Sequence, residues 1–330
     1  MTEETPKPVK TQTPMPESAD DIARRAYWTA RLDEADAFMR AITTYPVREC
    51  GEPVVSLVDA VRAAGVEVTF SDRPHVRGLP RLYYLRAGLV PPFLAAAAEM
   101  NARGWVLKVE DGYRTAEMQR GLGREAAIFV AILDKVRWEC GGATPPVDLL
   151  CRRIGALVAN APKVATHMSG SAMDISVLRR DTGEEVDRGG PYPEMSEKTP
   201  MASPFVSAPA SANRREITAL MSRHGFVTYP WEFWHYNAGD AYAEFLNRTG
   251  LPARYGPVHV APGNGRDGRV TPIDHPTEAL NPPAAIRELM NHALTTTLSS
   301  PGAHEADNVH DKARDGVPQR DIAKLGMREG

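Results

Sequence analysis

The sequence predicts an α+β fold, a compact domain in which an antiparallel sheet is flanked by helices. Long stretches with apolar residues at helical spacing alternate with a few short strand-like runs. The clearest strand-like runs, residues 105–114 and 172–178, are separated by helix-like segments, and the chain has no internal repeat. This order of helices and strands indicates an antiparallel sheet behind the segments that carry polar motifs.

The first half of the chain is predicted to be mainly helical. Acidic residues follow Ser18, and apolar residues then recur at helical spacing, so a helix should begin there. A second helix should end at Gly65. The remaining predicted elements are a strand over residues 66–70, a helix over 87–104 and the strand over 105–114.

The second half of the chain is predicted to alternate helices with the motif-bearing strands. One long helix is expected over residues 116–138, although Gly121 and Gly123 each cost about 1 kcal/mol relative to alanine. The other elements are a helix over 147–159, the strand over 172–178, a long turn-rich connection, a helix over 213–225 and a β-rich aromatic segment over 226–237.

Three regions are predicted along the chain. Residues 1–17 are rich in proline and polar residues without an apolar period, which predicts a disordered tail. Residues 18–250 are predicted to form the catalytic domain. Residues 251–330 are predicted to be a C-terminal extension that is partly disordered.

Composition excludes several classes of protein. The chain has 330 residues and a formal net charge of -3, so neither nucleic acid nor an acidic membrane surface is indicated as a partner. The N-terminus lacks a secretory signal, and the most apolar stretch is interrupted by Pro91 and Pro92, so we expect a cytoplasmic protein. The three cysteines are widely spaced, so a bound metal should have histidine and carboxylate ligands.

The stretch "THMSGSAMDISV", residues 166–177, places a histidine and an aspartate around a Gly-Ser turn. Asp174 lies in a strand-like run, and His167 can fold back over the same strand face through Gly170. Catalytic zinc is typically held by three protein ligands, with water in the fourth position. His167 and Asp174 are therefore candidate zinc ligands, and the third must come from elsewhere.

The stretch "EFWH", residues 232–235, supplies the missing groups. His235 is the candidate third ligand, and Glu232 is the candidate base for a zinc-bound water. Residues three apart on a regular strand point to opposite faces, so both can approach one metal only if the segment bends near Phe233.

The stretch "EDGYRT", residues 110–115, ends a predicted strand with charged residues. Arg114 is a candidate to stabilise negative charge that develops on the reacting oxygen, a contribution worth about 10²- to 10³-fold in rate. Asp111 is placed to orient Arg114, and both Asp111 and Ser171 are candidates for contact with substrate.

Together these motifs resemble those of the zinc D-alanyl-D-alanine dipeptidases, the family of the vancomycin-resistance D,D-dipeptidases. "HMSGSAMD" meets the family pattern H-x-x-G-S-A-x-D, "EFWHY" meets E-x-W-H-Y and "DGYR" meets D-x-Y-R, over a region from about residue 83 to residue 236. The resemblance implies one zinc ion per chain in a cleft over the sheet. The implied roles are zinc ligand for His167, Asp174 and His235, general base for Glu232 and stabilisation of the tetrahedral intermediate for Arg114.

The sequence departs from the family pattern at two positions. Ala165 stands where the family usually has a serine, and Pro193 stands where an aspartate of the family grips the free amino group of the substrate. Glu194, one residue later, is the candidate replacement. The resemblance therefore implies retained catalytic chemistry with altered contacts to substrate.

The resulting hypothesis is a zinc metallopeptidase that hydrolyses D-alanyl-D-alanine or a related short D,D-peptide, with a role such as cell wall biogenesis. Its partner is a small peptide, and a homo-oligomer is left open. One alternative is a zinc amidase that acts on a different small amide or peptide in specialised metabolism. Another is a non-catalytic zinc-binding relative, although retention of both Glu232 and Arg114 argues against it. Other divalent ions also suit such ligands.

Overall fold

The computed structural model describes residues 18–261 and 267–298. The predicted N-terminal tail, residues 1–17, and the last part of the predicted extension, residues 299–330, lie outside the described residues. The chain divides into two compact units, Met1–Leu289 and Met290–Gly330. Of the second unit, the structure describes residues 290–298, which are the end of a helix.

The prediction of an α+β fold is confirmed by the elements of the structure. The helices are α1 (Ala19–Thr44), α2 (Leu57–Ala64), α3 (Val90–Ala102), α4 (Ala116–Leu122), α5 (Ala126–Glu139), α6 (Val147–Val158), α7 (Ala208–Arg223), α8 (Ala241–Leu246) and α9 (Pro283–Leu298). The strands are β1 (Val54–Ser56), β2 (Val68–Phe70), β3 (Tyr84–Arg86), β4 (Trp105–Asp111), β5 (Ala172–Arg179), β6 (Val227–Thr228), β7 (His235–Asn237), β8 (Val258–Ala261) and β9 (Asp267–Pro272). Among the described residues, none of the helices combines the length and hydrophobicity needed to span a bilayer.

The sheet that carries the motifs has five strands in the order β2-β4-β5-β7-β6. β2 and β4 are parallel, and the other neighbours are antiparallel. β5 therefore lies between β4 and β7. Each of the three motifs lies on or at the end of one of these strands, so the motifs are neighbours in the sheet. A second sheet, in the order β3-β1-β9-β8, is antiparallel throughout.

The side chains of β5 point alternately into the apolar core and toward the polar face of the sheet. Met173, Ile175 and Val177 are fully buried in a cluster with apolar residues of α3 and α7. Successive side chains on a strand point to opposite faces, so Asp174 and its neighbours at alternate positions point away from that cluster. One face of the sheet thus packs in the core, and the opposite face carries the polar motifs.

The single helix predicted over residues 116–138 is wrong, because the structure has two helices there, α4 and α5. α4 ends at Leu122, and Gly123 follows it in close contact with a neighbouring segment. A Cβ atom at Gly123 would lie 2.7 Å from Nδ2 of Asn281. Gly123 itself keeps helical φ and ψ, and the chain leaves the helical path at Glu125, whose backbone is extended.

The domain division predicted at residue 250 stays a prediction. The structure places residues 251–289 in the same compact unit as the motif-bearing residues. β9 pairs with β1, and β8 pairs with β9, so this segment continues the second sheet.

Candidate active site

The three predicted metal ligands meet on the polar face of the motif-bearing sheet. His167 lies in the short 3₁₀ turn Thr166–Ser169, and the chain then reverses through Gly170, whose φ is 66°. Asp174 on β5 is directly opposite His235 on β7 in the strand register. The sequence positions predicted as ligands are therefore brought together by one turn and one strand pair.

The atoms of these side chains that could bind a metal form a small triangle. Nε2 of His167 lies 3.2 Å from Oδ1 of Asp174 and 3.2 Å from Nδ1 of His235, and the last two atoms are 2.9 Å apart. All three side chains are buried. Ligand atoms around a tetrahedral zinc ion, at bonds of about 2.0–2.1 Å, lie about 3.3 Å from one another. The donor types and their spacing therefore fit a zinc ion.

The outer nitrogen of each histidine is held by a hydrogen bond. Nδ1 of His167 donates to the carbonyl oxygen of Gly112 at 2.6 Å, and Nε2 of His235 lies 3.2 Å from Oγ1 of Thr166. Such bonds select the tautomer and the orientation of a metal-ligating imidazole. Both rings thus present their other nitrogen to the shared position. The sequence had not singled out Gly112 or Thr166, although each lies beside a motif residue.

Arg114 is held by two carboxylates at the edge of the ligand group. Its Nε donates to Oδ2 of Asp111 at 2.8 Å, and its Nη2 donates to Oδ2 of Asp174 at 3.1 Å. Burial alone would raise the pKa of Asp111, but the charge of Arg114, the nearby His75 and other cations outweigh burial and lower it. Asp111 is therefore an anion that orients Arg114, as the sequence predicted.

Glu232 lies in the turn that joins β6 to β7. Its backbone N–H donates to the carbonyl of Tyr229 at 3.2 Å, and its own carbonyl accepts from the N–H of His235 at 3.3 Å. This turn is the bend that the sequence required near Phe233, and it places Oε2 of Glu232 3.9 Å from Nδ1 of His235. Burial and the charge of Asp174 raise the pKa of Glu232 well above its ordinary value. A nearby divalent cation would act in the opposite direction, because it favours the carboxylate.

The ligand group, Arg114 and Glu232 line one cavity of about 120 Å³. Glu194 also lines it and accepts a hydrogen bond from Oγ of Ser196. Asp111 and Ser171, which the sequence offered as substrate contacts, are not among the residues that line this cavity. Ser171 is fully buried and donates to Oδ2 of Asp240 at 2.7 Å, so its placement indicates a structural role.

Tyr192 belongs to the site, although the sequence analysis did not select it. Its hydroxyl donates to Oδ2 of Asp174 at 2.9 Å, beside the bond from Arg114, and its ring packs edge-on against Trp234. Burial and the charge of Asp174 raise the pKa of Tyr192 well above its ordinary value, so it remains a donor. The only sequence signal was its position next to Pro193, in the segment that departs from the family pattern.

A buried polar network supports His235 from behind. Nδ2 of Asn237 donates to Oγ1 of Thr166 and to Oδ2 of Asp240, each at 3.1 Å. Asp240 also accepts the N–H of Ala243 with Oδ1 and so caps α8. Burial raises the pKa of Asp240 to about 6, from an ordinary value of 3.8.

Asp240 is expected to make the folded protein less stable as the pH rises. Between about pH 4 and pH 6 the folded state holds a proton that the unfolded state releases, so stability falls by about 2 kcal/mol from pH 4.5 to pH 7. An asparagine at this position could still cap α8, so Asp240→Asn should lack this pH-dependent loss of stability. Urea unfolding of both proteins at the two pH values measures it, with the exposed Asp181→Asn as control. An equal pH dependence in wild type and Asp240→Asn would contradict the assignment.

Part of the chain is similar to a known peptidase family and to curated dipeptidases. Residues 152–255 match the family Peptidase_M15, described as D-ala-D-ala dipeptidase. The D-alanyl-D-alanine dipeptidase of Enterococcus faecium is 38% identical over 76 residues, which are 23% of this chain and 38% of that protein. The protein of the same description from Synechocystis sp. is 23% identical over 228 residues, which are 62% of this chain and 89% of that protein. The match thus spans about two fifths of the length of the first relative and most of the second.

Two solved structures are similar at low TM-scores. The LdcB LD-carboxypeptidase gives a TM-score of 0.32 at 16% identity and covers 63% of this chain and 77% of its own. A mutant of the vancomycin resistance D,D-pentapeptidase VanY, in complex with Zn(II), gives 0.31 at 16% identity and covers 56% and 94%. Similarities this weak carry no argument about the present site.

The matched range contains the whole ligand group and its neighbouring acid. His167, Asp174, Glu232 and His235 all fall between residues 152 and 255, whereas Arg114 precedes the match. The two independent kinds of observation, the buried triangle of ligand atoms and the family match, therefore concern the same residues. The part of the chain that carries the ligand group is thus the part that is similar to the Peptidase_M15 family, described as D-ala-D-ala dipeptidase.

Proposed function

We propose that the protein is a zinc-dependent hydrolase of short peptides, with D-alanyl-D-alanine or a related D,D-dipeptide as its substrate class. The observation that carries the proposal is the triangle of donor atoms on His167, Asp174 and His235, with Glu232 and Arg114 in the same cavity. A purely structural zinc site needs neither a base nor a cation beside its ligands. The match of residues 152–255 to the Peptidase_M15 family supports the choice of reaction.

His167, Asp174 and His235 would hold the zinc ion, which when bound polarises a carbonyl and lowers the pKa of a coordinated water toward about 7. Glu232 is partly buried beside His235 and lines the cavity, so its carboxylate would accept a proton from the attacking water. It would then pass that proton to the leaving amine, as a general base that becomes a general acid.

Arg114 supplies fixed positive charge at the cavity wall. Asp111 and Asp174 hold its guanidinium from two directions, so it does not have to reorganise when negative charge develops on the carbonyl oxygen. Tyr192 shares Oδ2 of Asp174 with Arg114 and so helps to orient that carboxylate. Glu194 lines the cavity and is placed to bind the free amino group of the substrate, in place of the aspartate that Pro193 replaces.

The test is the release of free D-alanine from D-alanyl-D-alanine by the zinc-loaded protein. We expect release that stops when zinc is removed with a chelator and returns when zinc is added back. L-alanyl-L-alanine should not be hydrolysed. If zinc is bound and no D,D-dipeptide or small amide is hydrolysed, the protein is a non-catalytic relative and the proposal fails. Hydrolysis of amides alone would favour the zinc amidase.

Arg114→Lys is expected to lower kcat by about 10²- to 10³-fold while zinc remains bound. Lysine cannot bridge Asp111 and Asp174 as the planar guanidinium does, so its charge would be misplaced. Steady-state rates and bound zinc measure the two effects. Arg179→Lys, an exposed substitution at the end of β5, is the matched control. Unchanged kcat in Arg114→Lys would remove Arg114 from the catalytic group.

Several further properties belong to the same proposal. We propose one zinc ion per chain, because the described residues contain one group of the required geometry. We also propose a cytoplasmic location, and cell wall biogenesis as a role compatible with the proposed substrate class. The oligomeric state stays a prediction.

A further inference from the structure

The cavity that holds the candidate active site has one side without charged groups. Helices α1, α4, α5 and α6 contribute a set of apolar residues to its lining, which we call the apolar wall: Met39, Leu122, Ile128, Ala156, Leu157 and Val158. Leu122, Ile128, Leu157 and Val158 are only half-buried, although each lines the cavity. Part of their apolar surface is therefore available to a ligand in the cavity.

Gln119 is the only polar side chain that these four helices contribute to the described lining, and its groups already have partners. Its Oε1 accepts from Nη1 of Arg114 at 3.4 Å, and its Nε2 donates to the carbonyls of Val158 and Ala159. A ligand group that meets the apolar wall can thus gain mainly apolar contacts. The charged groups of the lining come from the motif segments and from Glu194.

The same hydrogen bonds locate the apolar wall relative to the reacting groups. One side chain, Gln119, separates Arg114 from the backbone at Val158. Arg114 in turn contacts Asp174 of the ligand group. A substrate side chain on a residue next to the scissile amide therefore lies within reach of the apolar wall. The substrate does not have to be long to contact it.

Alanine side chains fit this surface poorly. A methyl group beside the scissile amide would leave most of the wall facing water, in a cavity of about 120 Å³. Apolar surface is stabilised by contact with ligand carbon atoms, and pockets of this kind select for side-chain size. The apolar wall thus favours a larger apolar group than the two methyls of D-alanyl-D-alanine.

We propose that the apolar wall is a side-chain subsite, and that the substrate is a short D,D-peptide with a bulky apolar side chain, about the size of leucine, beside the scissile amide. This inference rests on the proposed peptidase function and narrows its substrate class. It does not depend on which of the two residues carries the bulky group, because both positions can be tested.

The test compares D-alanyl-D-alanine with D-leucyl-D-alanine and D-alanyl-D-leucine as substrates of the zinc-loaded full chain. We expect kcat/KM to be at least about tenfold higher for one of the leucine peptides. Ile128→Ser should reduce that preference. Val130→Ser, on the same helix α5 but 41% exposed and not part of the lining, should retain it. A preference for D-alanyl-D-alanine, or no preference, would overturn the inference.

A binding measurement separates this inference from the proposed function. Calorimetric titration with D-leucine and with D-alanine should show tighter binding of D-leucine to wild type, with the difference reduced in Ile128→Ser and kept in Val130→Ser. If no peptide is hydrolysed but this pattern appears, the hydrolase proposal fails and the apolar subsite stands. Equal binding of the two amino acids, together with equal or absent hydrolysis, overturns the subsite.

Discussion

Glu232→Gln is expected to lower kcat for the preferred D,D-dipeptide by about 10²- to 10⁴-fold, the range typical for loss of a general base. Glutamine keeps the size and the turn position of Glu232 but cannot accept a proton at neutral pH. The ligand triangle does not include Glu232, so zinc should remain bound. The loss should appear mainly in kcat, because the group acts on the transition state more than on substrate binding.

Initial rates over a range of substrate concentrations, with zinc content measured on the same samples, distinguish these effects. Glu184→Gln is a matched control, because Glu184 is exposed and lies outside the cavity. Wild-type kcat in Glu232→Gln would show that another group moves the proton. Loss of zinc from the variant would instead show that Glu232 helps to hold the metal.

Asp174→Asn is expected to weaken zinc binding by more than about 100-fold and to reduce hydrolysis to the background rate. Loss of a group that only orients a ligand typically costs 10- to 100-fold in metal affinity, and Asp174 is a ligand itself in this proposal. The substitution also removes the anion that faces Arg114 and Tyr192. A buried cation that loses its partner is costly, so the variant should also be less stable.

Zinc retained after dialysis and calorimetric titration with zinc measure the affinity, and urea unfolding of the zinc-free proteins measures stability. Asp181→Asn, at an exposed position after β5, controls for the loss of one negative charge. Zinc affinity equal to that of wild type would exclude Asp174 as a ligand. Weak zinc binding with unchanged zinc-free stability would leave the ligand role intact and show that Asp111 alone is enough to hold Arg114.

Two pairs of candidate site residues were predictable from short spacings along the chain, whereas the approach of Asp174 to His235, 61 positions apart, depends on the pairing of β5 with β7. His167 and Asp174 are seven residues apart, and one glycine with positive φ is enough to reverse the chain between them. His235 and Glu232 are three apart, and a turn is the simplest way to aim both at one point. Within each pair, the residue types and the short spacing allow few backbone arrangements in which both side chains face the same point.

Tyr192 was not predicted, because it belongs to none of the three motifs and only the tertiary structure shows its hydrogen bond to Asp174. The break between α4 and α5 was missed for a related reason. Gly121 and Gly123 lower the helix propensity there, but propensity alone does not decide between a weakened helix and a break, which the structure places at Glu125 with its extended backbone.

The sequence by itself determined the α+β class and singled out the candidate metal-ligand residues and the candidate base. Only the tertiary structure decided which other residues share the cavity: it included Tyr192 and Glu194, left Ser171 buried against Asp240, and brought apolar residues of four helices to one side of Arg114. The physical reason is that a motif depends on spacing along the chain, whereas a cavity depends on the packing of elements that are far apart in sequence.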